Sequence, residues 1–135
     1  MDIFCLSEFK EAFEKLKTKK SYKTIEQELI SYFFGKNSKE LCSGVRLNNS
    51  RETPFIKKRL GGRGGFRFYF LLILKKDKLY LMFVHAKTGT LGADNITDKS
   101  KAMLYKKVLT CIQTNDLFKL ELDTTKNRIR FEKTN

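Results

Sequence analysis

Apolar residues change their spacing several times along this chain, and each change predicts an element. Residues 2–6, Asp-Ile-Phe-Cys-Leu, read as a short strand. Ser7 then stands as an N-cap, Glu8 and Glu11 favour the positive end of a helix dipole, and Phe9, Ala12, Phe13 and Leu16 recur at helical spacing. A polar link, 17–20, leads to a second helix opened by the capping-box pair Thr24 and Gln27. Its stripe is Tyr22, Ile25, Leu29, Tyr32 and Phe33, and Gly35 closes it. Two short helices so joined form a hairpin able to cover one face of a sheet.

The polar stretch 36–54 ends at the only proline, Pro54, and holds one candidate strand, Val45-Arg46-Leu47. A connection this long is either functional or mobile. Strands are expected at 55–60, 66–74 and 79–87, the last two joined around Lys75-Lys76-Asp77-Lys78. Because 66–74 is apolar at nearly every position, it should be a central strand covered on both faces. Asp94, Asn95 and Thr97 lead into a third helix, about 98–113, with Ala102, Tyr105, Leu109 and Ile112 on one side. Leu117–Leu122 and Arg128–Phe131 flank a turn and form an added C-terminal hairpin. The expected class is α+β in a single domain, 1–135, with a core over about 1–113 and an extension over 114–135.

Composition adds partners to this picture. The 41% hydrophobic content, with twelve Phe, is enough for one packed interior. The formal charge of +13 favours nucleic acid first, then an anionic membrane surface, then an acidic protein. A lysine-rich compositional bias explains the same number without any partner. No helix pattern combines a basic face with a broad apolar one, so a membrane role ranks last. The longest apolar run, 68–74, is far shorter than the ~20 residues needed to span a bilayer. Cys5, Cys42 and Cys111 show no Cys-x-x-Cys spacing and read as buried thiols of a reducing compartment, which gives the cytoplasm by elimination. With one histidine there is no metal-ligand pattern, and no cofactor is expected.

The candidate chemistry lies where charge meets the apolar strand. Lys57, Lys58, Arg59, Arg63 and Arg67 fall within eleven residues, split by the pairs Gly61-Gly62 and Gly64-Gly65. The segment is no nucleoside-triphosphate loop, since it lacks a Gly-Lys-Ser/Thr ending and runs into a strand. The element order together with Gly64-Gly65-Phe66-Arg67-Phe68-Tyr69 resembles the RelE/ParE superfamily of toxins, above all its RelE/HigB-like ribonuclease branch. The second half of that pattern is Val84-His85-Ala86-Lys87-Thr88-Gly89, then Ala93-Asp94-Asn95-Ile96-Thr97. The resemblance covers about 55–113. The 36–54 loop and the tail after 116 depart from it.

What the resemblance implies is a RelE-like fold and a toxin of a type II toxin–antitoxin pair, acting as a metal-independent mRNA endoribonuclease. Its partners would be mRNA, the ribosome and a cognate antitoxin. The reaction is attack of a 2′-hydroxyl on the adjacent phosphate, which needs a proton acceptor, cations for the phosphate and a donor for the leaving oxygen. By the same resemblance Arg67 holds phosphate with its planar fork, and Lys87 clamps the phosphate or protonates the leaving oxygen. Lys57 is the proton acceptor if neighbouring cations lower its pKa, and Lys58, Arg59 and Arg63 contact RNA. His85 is either an acid–base group or a histidine bonded for structure. Tyr105 is either core or a base-stacking ring. Phe66, Phe68 and Phe70 are core, and Lys15, Lys17, Lys19 and Lys20 form a solvated helix face. Two other functions stay open: a ParE-like gyrase poison and a non-catalytic nucleic-acid binding module.

One geometric expectation follows from strand alternation. A regular two- or four-residue connection between the central strands would turn His85 and Lys87 away from Arg67. A three-residue loop, Lys76 to Lys78, or a bulge near 84–87 would pair Arg67 with Lys87. We expect one of these odd arrangements.

Overall fold

A computed structural model describes residues 1–62, 64–87 and 96–134. Among them are three α-helices: α1 (Ser7–Lys17), α2 (Ile25–Phe33) and α3 (Asp98–Thr114). The strands are β1 (Asp2–Cys5), β2 (Val45–Arg46), β3 (Phe55–Leu60), β4 (Phe66–Ile73), β5 (Lys78–Ala86), β6 (Phe118–Asp123) and β7 (Arg128–Lys133). They form one mixed sheet in the order β2-β3-β4-β5-β1-β6-β7, in which only β1 and β5 run parallel among the paired strands. The fold is α+β, and its seven-stranded sheet is larger than the small one expected. The C-terminal hairpin does not stand apart, for β6 pairs with β1 and Leu120 and Ile129 enter the core. Glu26 of α2 fixes the hairpin by accepting the Ile129 N–H at 3.1 Å. No described helix is long and apolar enough to cross a membrane.

β4 is the middle of the molecule and is buried along almost its whole length, as its composition requires. Its even positions, Phe66, Phe68, Phe70 and Leu72, meet α1 and α2, with Phe33 packed on Phe68 and Phe70 at ring distances of 5.4 and 5.1 Å. Its odd positions, Tyr69 and Leu71, join Phe55, Tyr80 and Met82 beneath Val108 and Cys111 of α3. The sheet therefore has a helical layer on each side. Arg67 is the one β4 residue whose chemistry breaks this apolar pattern.

Several local expectations need correction. Leu6, not Ser7, is the N-cap of α1, and the Ser7 hydroxyl bonds Glu8 instead. Thr24 stands at the cap of α2 in helical conformation with no side-chain cap bond, because a 3-10 turn, Lys20–Tyr22, feeds directly into the helix. Tyr22 belongs to that turn, yet it is buried against Phe66. Helix α2 ends at Phe34 in right-handed conformation. Gly35 matters for space, since a Cβ there would lie 2.6 Å from the Ser31 carbonyl oxygen. In α3 the buried seam is Leu104, Tyr105, Val108, Cys111 and Ile112, whereas Ala102 and Leu109 are exposed. Apolar residues wrap most of this helix, so its periodicity admits more than one seam.

The 36–54 stretch is pinned by its own polar side chains. Asn48 donates to the Thr53 carbonyl and accepts from the Phe55 N–H, both at 2.9 Å, and Leu41 plugs into the core from a 3-10 turn, Glu40–Cys42. Between β4 and β5 the connection is four residues, a 3-10 turn closed by Asp77 in left-handed conformation (φ 54°). A regular ladder would then follow, but the register shifts between Tyr69 and Phe70 and leaves Met82 as an extra residue. The irregularity lies nearer mid-strand than expected. It sets Arg67 opposite His85, not Lys87.

Candidate phosphate-binding site

The bulge at Met82 decides which side chains share a face. Past it, Arg59, Arg67 and His85 lie in one row across β3, β4 and β5, and Lys57, Tyr69 and Phe83 lie in the next. All project to the α3 side. Lys87 continues the ladder, its N–H donating to the Gly65 carbonyl at 2.9 Å, so alternation gives it the same face. Lys58 does not join them. It alternates to the other face, with Nζ 5.4 Å from the centre of the Tyr32 ring. Arg63 and the 88–95 segment lie outside the described residues.

The β3–β4 turn depends on glycine at both ends. Gly61 has φ +83°, and a Cβ on Gly65 would stand 2.1 Å from the Leu60 carbonyl oxygen. The glycines thus serve the turn itself, and the turn holds Arg59 against Arg67.

Arg67 is 4% exposed, and its Nε and Nη1 are buried with no hydrogen-bond partner among the described residues. Buried guanidinium nitrogens without an acceptor are costly, because these donors lose water and gain nothing. Among the described residues, the charges that act on neighbouring Lys57 are all positive. Lys57 is held below the usual lysine range by burial first, then by Arg67, Lys101 and Arg59. Lys101, from the first turn of α3, was not foreseen in the sequence. It sits on the buried seam of the helix, one turn before Tyr105, and is bonded to Asp98 at 3.6 Å. A lysine at a core-facing helical position is the signal that marks it.

His85 is fully engaged. Its Nδ1 lies 3.1 Å from the Ala86 carbonyl oxygen, which can only accept, so Nδ1 carries the proton. Nε2 then accepts from the Tyr69 hydroxyl at 3.1 Å, and that hydroxyl itself accepts from the Ile96 N–H. Burial, outweighing the Ala86 bond, together with Arg67 and Lys57 lowers the His85 pKa and keeps the ring neutral. A neutral imidazole bonded at both nitrogens is held in one orientation between β5 and Tyr69. Tyr105 stacks on Phe55 with ring centres 5.7 Å apart and planes at 18°, so it is part of the packing of α3 on β3.

Several concavities adjoin α3 among the described residues, and two of them lie beside the sheet. One, of about 360 Å³, is lined by Leu47, Asn48, Phe55, Lys101 and Tyr105 with Asp98 and Ala102 at its helix side. The other, of about 390 Å³, lies between α3 and α1 and is mainly apolar, with Phe83, Ile96, Met103 and Leu104. No family model matches the chain, and neither does any curated protein or solved structure.

Proposed function

We propose that this protein binds RNA at its phosphodiester backbone and cleaves it, as a ribonuclease toxin of RelE-like fold. Arg67 supports the reading most: two of its buried guanidinium nitrogens have no acceptor among the described residues, and Arg67, Arg59 and Lys101 all act on the charge of Lys57, an arrangement suited to an anion. The order strand, two helices, antiparallel meander and helix agrees with the resemblance in the sequence. In the reaction the 2′-hydroxyl gives its proton to the neutral fraction of Lys57, which burial and then the surrounding cations enlarge. The 2′-oxygen attacks phosphorus while Arg67 and Arg59 neutralise the charge on the phosphoryl oxygens. The bond from phosphorus to the 5′-oxygen breaks, and the Lys87 ammonium supplies the proton. The products are a 2′,3′-cyclic phosphate and a 5′-hydroxyl. His85 orients Tyr69 and the β4–β5 ribbon and takes no proton. The ribosome as the setting of cleavage, and an antitoxin with acidic or apolar segments as the inhibitor, belong to the same proposal.

A binding module without chemistry is the second reading. It is favoured by the engagement of both His85 nitrogens with Ala86 and Tyr69, which gives the ring a structural role that needs no chemistry. Expression in growing cells separates the two. The ribonuclease reading expects growth arrest with the natural chain and none with a folded Arg67→Ala variant. Undiminished arrest by that variant removes Arg67 from the chemistry.

A further inference from the structure

We propose that the cleft between the 36–54 loop and α3 is a nucleobase subsite, which takes the base adjoining the phosphate held at Arg67. The inference rests on the phosphodiester reading and deepens it. Lys101 joins the two places: it lines the cleft and is close enough to Lys57 to act on its charge, while Lys57 in turn is close to Arg67. A strand bound by its phosphate at the Arg67 row therefore has this cleft beside it.

The lining suits a base. The stacked pair Phe55 and Tyr105 gives an aromatic wall and Leu47 an apolar one. A volume of about 360 Å³ fits one flat ring system. At the rim, Asp98 and Lys101 stand 3.6 Å apart and offer an acceptor and a donor side by side. Every base carries an adjacent donor and acceptor on its pairing edge, so the cleft selects for a base over none and tolerates any base. Asn48 is held in place by its amide bonds to Thr53 and Phe55. Its role is to hold Leu47 and the loop in place, which gives the 36–54 insertion a function.

The test compares a short single-stranded RNA, made uncleavable by 2′-O-methylation, with an abasic ribose-phosphate strand of equal length. Binding of each is measured by fluorescence anisotropy to the full chain and to Ala102→Phe, which fills the cleft from an exposed helix position. The natural chain is expected to prefer the base-carrying strand by about tenfold, the size of one stacked base. In Ala102→Phe that preference should fall to near unity with abasic affinity unchanged. Tyr105→Leu should do the same by removing half of the aromatic wall. Equal binding of both strands by the natural chain, or full preference kept in Ala102→Phe, overturns the subsite and leaves the phosphate reading intact. If neither strand's affinity depends on Arg67, the phosphate reading falls, and the subsite with it.

Discussion

Replacing Arg67 by methionine should make the unliganded protein more stable while removing its function. Methionine keeps an unbranched stem in a site that is 4% exposed, and it deletes a guanidinium whose Nε and Nη1 have no acceptor among the described residues. Those two nitrogens carry three N–H donors, and an unmade buried hydrogen bond costs about 1–3 kcal/mol. Repulsion from neighbouring Lys57, whose pKa Arg67 helps to lower, disappears as well. Against this stands the volume that methionine leaves unfilled. The net gain should be about 2 kcal/mol, within the range found when buried charges give way to apolar groups. For a chain of this length that raises the melting temperature by roughly 6–10 °C. Thermal denaturation followed by circular dichroism, with and without a short uncleavable RNA, is the assay. The RNA should raise the melting temperature of the natural chain by mass action and leave the variant's unchanged. A variant that melts several degrees lower than the natural chain would show that Arg67 is satisfied within the fold, and the case for a waiting anion site would fail.

Three further expectations concern protons and the turn. Lys57→Arg keeps the charge but cannot release a proton, so RNA binding should persist while cleavage falls by about 10²–10⁴-fold; equal loss of both would make Lys57 a binding residue only. His85 has a folded pKa below its ordinary 6.5, so as pH falls through about 6.5 the unfolded chain takes up a proton that the folded chain refuses. Stability should decline over that window and level off below the folded pKa. His85→Asn should flatten the decline in urea titrations at several pH values and keep most of the cleavage activity. Gly65→Ala should destabilise the fold by several kcal/mol, on the order of an over-packed core site, because backbone and not a side chain stands 2.1 Å from the added carbon. A urea midpoint within error of the natural chain's would contradict that geometry.

The sequence revealed most where one physical demand acted alone. β3 falls on the expected residues, and the uninterrupted apolar run of β4 could only be a strand covered twice. Alternation from Phe55 would also have sent Lys58 away from Lys57 and Arg59, a signal that the charge count concealed. What was hidden depends on partners distant in sequence. The extra residue at Met82 has no compositional mark, yet it decides that Arg67 meets His85 and that Lys87 stays on the same face. The seam of α3 is set by the sheet beneath it, so Lys101 became visible only once Val108 and Cys111 were seen to be the buried pair. The partners of His85, the Ala86 carbonyl and the Tyr69 hydroxyl, could not be read from the sequence, since Tyr69 lies sixteen residues away on the neighbouring strand.

The central claim, that clustered cations on β3, β4 and α3 act on one phosphodiester, is tested most directly by the ends of RNA. Cellular transcripts sequenced after brief expression should carry new 2′,3′-cyclic phosphate ends with the natural chain and none with Arg67→Met. Intact transcripts in cells arrested by the natural chain, or the same ends produced by the variant, would contradict it.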